Sequence, residues 1–233
     1  MRASVTVFLS LFVLFGVAAS AHAQGIEWET LNAEALSLYQ KGQYDRAVVV
    51  AKKAIDVAEK TVGPAHPAVA ASLHNLAVLY YTQDQYALAE PLHKRSLAVM
   101  EKALGPNHPD VATDLHNLAY LYRTQGQYAA AEPLYKRSLA IMEKVLGPNH
   151  PDVATDLNNL AELYHTQGQY AAAEPLYKRS LAIKEKALGL NHRDVATSLE
   201  NMAALYRATN RAKEAETLES RAARIRATKR EKN

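Results

Sequence analysis

The sequence predicts an all-α fold, an α-solenoid of five antiparallel helix pairs, and three observations carry this prediction. A residue pattern recurs every 42 positions, as in the series Tyr44, Tyr86, Tyr128 and Tyr170. Within each repeat the apolar residues follow helical spacing. Glycine and proline recur between the apolar segments, where they favour turns.

The composition is that of a soluble globular protein, with 48% hydrophobic and 22% charged residues among 233. The chain has no cysteine, which excludes a disulfide scaffold, a thiolate metal site and a cysteine nucleophile. The formal net charge is only +3, so we expect no nucleic-acid partner.

The first 23 residues have the pattern of a signal peptide. Arg2 precedes an apolar run at residues 5–17, and Ala21-His22-Ala23 fits an A-x-A cleavage site. The run is shorter than the roughly 20 residues that a membrane-spanning helix needs. We therefore expect cleavage after Ala23, no stable membrane insertion afterwards, and export to the periplasm, with secretion as the alternative. Retention of this segment as a membrane anchor is the other interpretation.

Residues 24–233 are predicted to form one repeat array with a basic C-terminal end. The predicted units span residues 26–66, 67–108, 109–150, 151–192 and 193–227. Alanine recurs in every unit at the positions of Ala119 and Ala131, so we expect these small side chains to set how closely neighbouring helices pack.

The third unit shows how each element is predicted. The apolar face of its first helix comprises Val111, Leu115, Leu118, Ala119 and Tyr122. Gly126 favours the left-handed conformation that ends a helix. The apolar face of the second helix comprises Ala131, Leu134, Tyr135, Leu139 and Met142. Gly147 ends that helix, and Pro151 and Asp152 suit the first turn of the next one.

Three prolines fall inside the predicted second helices, at Pro91, Pro133 and Pro175. Proline removes a backbone hydrogen bond and crowds a preceding carbonyl group. We therefore expect a bend or a late helix start at these positions.

The pattern resembles a tetratricopeptide repeat over residues 26–227. The residues of the third unit that match are Leu115, Leu118, Ala119, Tyr122, Gly126, Tyr128, Ala131, Tyr135 and Ser138. The period exceeds the usual length of about 34 residues, and together with stretches such as Ala131-Glu132-Pro133-Leu134 it resembles the kinesin-light-chain type of repeat. The resemblance implies a solenoid that binds an extended peptide, or a helix, on its concave face.

By this resemblance, the first helix of each unit lines the concave face. The candidate partner-binding residues are His74, Asn75, Tyr81, His116, Asn117, Tyr120, Arg123, Asn158, Asn159, His165, Asn201 and Arg207. The recurring asparagines could bind a peptide backbone, because a carboxamide both donates and accepts hydrogen bonds. The alternative is that they brace neighbouring helices. Tyr81, Tyr120 and Arg123 are candidate anchors, since aromatic and arginine residues dominate interface energies.

The charge on this face favours a locally acidic partner only in the middle of the array. Arg123 stands there with two histidines and no acid, whereas Glu29, Glu162 and Glu200 lie elsewhere along the face. The resemblance itself implies an acidic peptide.

Neither a metal, nor a cofactor, nor a catalytic activity is predicted. One histidine recurs in each interhelix turn, at His66, His108, His150 and His192. Successive repeats lie about 10 Å apart, whereas zinc ligands lie about 2 Å from the ion, so we expect these histidines to cap turns. The ionisable residues are copied between units and contain no catalytic motif, so we predict that the protein is not an enzyme.

The C-terminal segment is basic. Its cations are Arg221, Arg224, Arg226, Lys229, Arg230 and Lys232. We expect a solvated capping helix, with contact to a membrane surface or an anionic polymer as the alternative. The predicted function is an exported protein–protein interaction module that binds a peptide or helix of a partner protein. The alternative is a self-associating architectural array without a dedicated peptide ligand.

Overall fold

The chain folds into helices that follow one another as pairs. The computed structural model describes residues 22–230, and these contain ten helices and no strand. The helices are α1 (His22–Gln40), α2 (Tyr44–Val62), α3 (Pro67–Thr82), α4 (Tyr86–Leu104), α5 (Pro109–Thr124), α6 (Tyr128–Leu146), α7 (Pro151–Thr166), α8 (Tyr170–Leu188), α9 (Arg193–Ala208) and α10 (Ala212–Arg230). Each odd-numbered helix packs on the next one, and each pair packs on its neighbour. The predicted all-α solenoid is confirmed. Residues 1–21, most of the predicted signal peptide, lie outside the described residues.

Two kinds of turn set this architecture. Within a pair, the turn contains a residue in the left-handed region, such as Gly126 at φ 74°, which glycine adopts without strain. Between pairs, a histidine caps the next helix: the Asp152 backbone N–H donates to Nδ1 of His150 over 3.2 Å. Equivalent hydrogen bonds are made by His66, His108 and His192. The prediction that these histidines cap turns is therefore confirmed.

The prolines of the second helices do not delay the helix start. Pro91 lies inside α4, which runs without a break from Tyr86 to Leu104, and α6 and α8 contain Pro133 and Pro175 in the same way. The expected late start is wrong. Both Pro91 and Ala87 are exposed, so water can bond the carbonyl group that loses its helical partner.

The core lies at the junctions between units. Leu118, Ala119 and Tyr122 of α5 form one buried cluster with Ala89 of α4 and Ala131 of α6. Ala119 and Ala131 are completely buried, so an added side chain at either position has no space to occupy. The small residues at these positions therefore set the spacing of the helices, as expected from the sequence.

The two ends of the array are more polar than its internal junctions. In the first unit Glu34 and Ser37 stand where the middle units carry buried leucines, and Glu34 is exposed. In the last unit Glu219 stands where the third and fourth units carry a buried tyrosine, and Ala223 replaces a leucine. Terminal repeats with polar outer faces are how such arrays end.

The junction between the second and third units also holds buried ionisable groups. The rings of His74 and His93 contact each other edge to face, with centroids 5.5 Å apart. Burial lowers the pKa of His74 to about 4 and that of His93 to about 3. Asp114 is also buried, where it accepts a 2.9 Å hydrogen bond from Ser96 Oγ, and burial raises its pKa to about 7.

Replacing Ala119 with leucine should lower the free energy of unfolding by about 1–3 kcal/mol, because the larger side chain overpacks a filled junction. Ala130→Leu is the matched control, since Ala130 is exposed and the second unit carries Leu88 at that position. Chemical denaturation followed by circular dichroism measures both. Equal effects of the two substitutions would contradict the packing described above.

The buried histidines should make the fold less stable in acid. Each has a folded-state pKa below the value of about 6.5 in the unfolded chain. Their contribution to the free energy of unfolding is therefore complete above pH 6.5 and is lost as the pH falls towards 4. Asp114 has the opposite effect on the free energy of unfolding, because its raised pKa favours the folded state as the pH falls below 7. His93→Tyr introduces the residue of the third and fourth units, and should reduce the acid loss of unfolding free energy by about 1.4 kcal/mol per pH unit.

Denaturation curves between pH 7 and pH 4 test this change, and the wild-type and His93→Tyr profiles should diverge below pH 6.5. Parallel profiles would show that His93 takes up no proton on unfolding.

Candidate functional site

The first helices of the units form the inner, concave side of the array. At successive junctions they are joined by short side chains, as where Asn75 donates to Asn32 Oδ1 over 3.0 Å. The second helices are joined by two long side chains, as where Arg137 donates to Glu101 over 2.6 Å. Because shorter bridges bring helices closer together, the stack curves with its first helices inside. We call the surface of α1, α3, α5, α7 and α9 the inner face.

The recurring asparagines brace the inner face. Each one makes a hydrogen bond to the first helix of the preceding unit, 43 residues earlier in the chain. The pairs are Asn75 with Asn32, Asn117 with His74, Asn159 with His116, and Asn201 with Asn158. Of the two interpretations drawn from the sequence, bracing of neighbouring helices is the one that these contacts match.

Two predicted contact residues, His74 and His116, are also held within the protein. His74 is buried, so its expected exposure on the concave face is wrong: its ring contacts His93 of α4 and its Nδ1 lies 3.4 Å from Asn117 of α5. His116 is half-buried, with Nδ1 2.6 Å from Asp156 Oδ1 and Nε2 3.1 Å from Asn159. Both ring nitrogens of His116 are therefore occupied.

The predicted anchors come together in the middle of the inner face. The rings of Tyr81 and Tyr120 are 5.5 Å apart, and the guanidinium group of Arg123 lies 5.0 Å from the Tyr120 ring. Arg123 also forms a 2.6 Å ion pair with Glu162 in the next unit, so the expectation that no acid stands beside it is wrong. Burial works to lower the pKa of Arg123, but the charge and hydrogen bond of Glu162 together with the nearby Tyr135 and Tyr120 raise it.

Three polar atoms in this region have no hydrogen-bond partner among the described residues. They are Arg123 Nε, Tyr135 Oη and His165 Nε2, and all three are buried. Tyr135 is completely buried, burial raises its pKa, and its ring contacts His116 with centroids 5.5 Å apart. We call Tyr120, Arg123, Tyr135, Glu162 and His165 the central cluster. Buried polar atoms without a partner are rare in native proteins. Two more occur among the described residues, His93 Nδ1 and Gln125 Nε2, and the other three belong to the central cluster.

The remaining predicted residues are distributed along the inner face and do not join this cluster. Arg207 is exposed and donates two hydrogen bonds to Glu219, at 2.6 and 2.7 Å. Asn158 accepts from Asn201 as part of the asparagine bracing. Asn158 and Asn201 therefore join the fourth unit to the fifth, whereas the contact of Arg207 lies within the fifth unit.

Sequence reasoning placed Tyr135 on the apolar face of a second helix and missed its part in the cluster. The available signal is the variation at its position, which holds His93, Tyr135, Tyr177 and Glu219 in successive units. A position that changes between aromatic and charged residues in otherwise similar repeats marks a difference in local environment.

Metal binding and membrane crossing find no support in residues 22–230. No group of three histidine, aspartate or glutamate side chains in that range could hold a metal ion. No helix in the same range is long and apolar enough to span a bilayer.

Comparison with known proteins agrees with this architecture. A family model described as tetratricopeptide repeat matches residues 29–102, 79–144, 117–186 and 158–228. A putative kinesin light chain from Podosopora anserina, with nearly identical TPR-like repeats, is 29% identical with a TM-score of 0.76, over 87% of this chain and 96% of that one.

Another solved structure shares the fold at lower identity. BtubC (BKLC) from P. vanneervenii is 23% identical with a TM-score of 0.79, over 89% of this chain and 82% of that one. No match was found among curated proteins. The matched repeats cover most of the described helices, and the repeats are like those of kinesin light chains. The chain belongs to the tetratricopeptide repeat family, whose members bind protein partners.

Proposed function

We propose that this protein is an exported scaffold that binds a peptide or helix of a partner protein on its inner face, centred on Arg123. The observation that carries the proposal is Arg123, whose side chain is partly exposed and whose Nε–H has no partner among the described residues. The recurring asparagines of the inner face are bonded to neighbouring first helices, so they have less to offer a ligand.

The chemistry of the central cluster favours a partner with hydrogen-bond acceptors. The Arg123 guanidinium carries only donors, so a carboxylate or a backbone carbonyl group of a partner is a suitable acceptor for it, whereas the Tyr135 hydroxyl group is completely buried. The Arg123 side chain is 14% exposed and opens to the inner face. We propose a locally acidic partner sequence, whose carboxylate would have to displace Glu162 from the guanidinium.

Aromatic side chains next to Arg123 extend this surface. Tyr81 contacts both Tyr86 and Tyr120, with ring centroids 5.3 and 5.5 Å apart, and it shares a hydrogen bond with Thr124. Such partly exposed rings supply contact area at little entropic cost, because they are already held in place. They would bind the apolar part of the same partner segment.

Replacing Arg123 with alanine should weaken binding of selected peptides more than about tenfold, because the side chain is central and largely desolvated. The peptides come from a random-peptide library selected on the wild-type protein, with affinities measured by fluorescence anisotropy.

Arg179→Ala is the matched control, because Arg179 forms an ion pair with Glu143 between second helices and so lies away from the inner face. It should leave affinity unchanged, and circular dichroism should show equal helicity for all variants. Selected peptides that bind Arg123→Ala as tightly as the wild type would overturn the proposal.

We also propose that the protein is exported and cleaved after Ala23. The support is the sequence pattern of Arg2, the apolar run at residues 5–17 and the A-x-A cleavage site. Helix α1 begins at His22, so cleavage there would remove only its first two residues. N-terminal sequencing of the exported protein should begin at Gln24, and a sequence that begins at Met1 would contradict the prediction.

A further inference from the structure

Exposed apolar side chains gather at one edge of the array. Seven large apolar residues are exposed among those described, and five of them are Leu104, Val145, Leu146, Leu188 and Leu190. Three of these are the last residues of α4, α6 and α8. Because those helices occupy equivalent places in successive units, their carboxyl ends lie along the same edge.

The turn between the fourth and fifth units departs from the other turns in two places. Leu190 stands where the preceding turns carry Pro106 and Pro148, and it is 60% exposed. Arg193 stands where the preceding unit carries Pro151, and it is exposed as well. These two departures make the edge both more apolar and more basic at this turn.

Positive charge accompanies the apolar side chains. Lys144 and Lys186 are exposed, and each stands two residues before a leucine. A lysine in the last turn suits the helix dipole, but the dipole does not account for the exposed leucines beside it.

The last helix adds to this charge. Arg221 of α10 donates to the backbone carbonyl of Leu190 and pairs with Glu185, so α10 passes beside the same turn. Its sequence then continues through Arg224, Lys229 and Arg230. The acids along this edge are Asp152, which is exposed in the first turn of α7, and Asp194, next to His192. We define the C-terminal edge by its apolar and basic residues, which are Val145, Leu146, Leu188 and Leu190 with Lys144, Lys186, Arg193 and Arg224.

We propose that the C-terminal edge rests on an anionic membrane surface. Leucine and valine side chains on such an edge enter the interface between headgroups and acyl chains, while the basic side chains bind the anionic headgroups. This contact would be peripheral and reversible. It is separate from partner binding at the central cluster, so the protein could hold a partner beside a membrane.

The charge of the edge favours this occupant over a second copy of the chain. A symmetric contact would place the same excess of positive charge against itself, which is unfavourable. The edge consists of side chains that project from helix ends and a turn, which suits insertion into a lipid surface.

The test is co-sedimentation of the full chain with vesicles. The protein should bind vesicles that contain phosphatidylglycerol, should not bind vesicles of phosphatidylcholine alone, and should be released by salt because salt screens the attraction. The variant Leu190→Pro with Arg193→Pro restores the residues of the preceding units, so it should keep its fold. It should bind at least about fivefold more weakly, the expected effect of losing one arginine.

Leu88→Ala is the matched control, because Leu88 is 49% exposed, lies near the start of α4 and is alanine in the next two units. All variants keep the apolar run at residues 5–17, so a difference in vesicle binding between them does not arise from that run. Failure to bind the anionic vesicles, or equal loss in Leu88→Ala, would overturn the proposal. So would binding to soluble polyglutamate as tight as binding to the vesicles, since an acidic protein would then be the occupant.

Discussion

A pair of amphipathic helices exposes apolar surface that it cannot bury alone, and the rest of this structure follows from that constraint. Each pair covers its apolar surface with the next pair, so the core lies at the junctions. The alanines at these junctions, Ala89, Ala131 and Ala173 among them, are completely buried. Stability is then approximately a sum over units and junctions, and a single overpacked junction affects its neighbours first.

The polar contacts at each junction give the stack its curvature. Asparagine bridges on the inside are short, and Arg–Glu bridges on the outside are long. Once the asparagines are used in this way, they are no longer free to bind a peptide backbone along the groove. We therefore propose that partner binding depends on the central cluster between the third and fourth units, where Arg123 Nε has no partner among the described residues. Each unit serves as support, while one junction carries the candidate site.

The repeat period, the helix pairs and the turn chemistry could all be predicted from the sequence, because they depend on local residue types. The capping role of His150 is an example, since it needs only its own turn. The burial of His74 could not be predicted in this way, because it depends on which helices of other units lie over it. The same limit applies to Tyr135, whose apolar environment and unpartnered hydroxyl group arise only when α6 packs against α5 and α7. Pro91 shows the reverse case: a local rule predicted a late helix start, and exposure to solvent removed the reason for one.

A crystal structure of the protein with a peptide selected from a random library would test the central claim most directly. The account predicts a peptide along α5 and α7, with an acceptor group of the peptide bonded to Arg123. A peptide bound against the second helices, with Arg123 still paired only to Glu162, would contradict it.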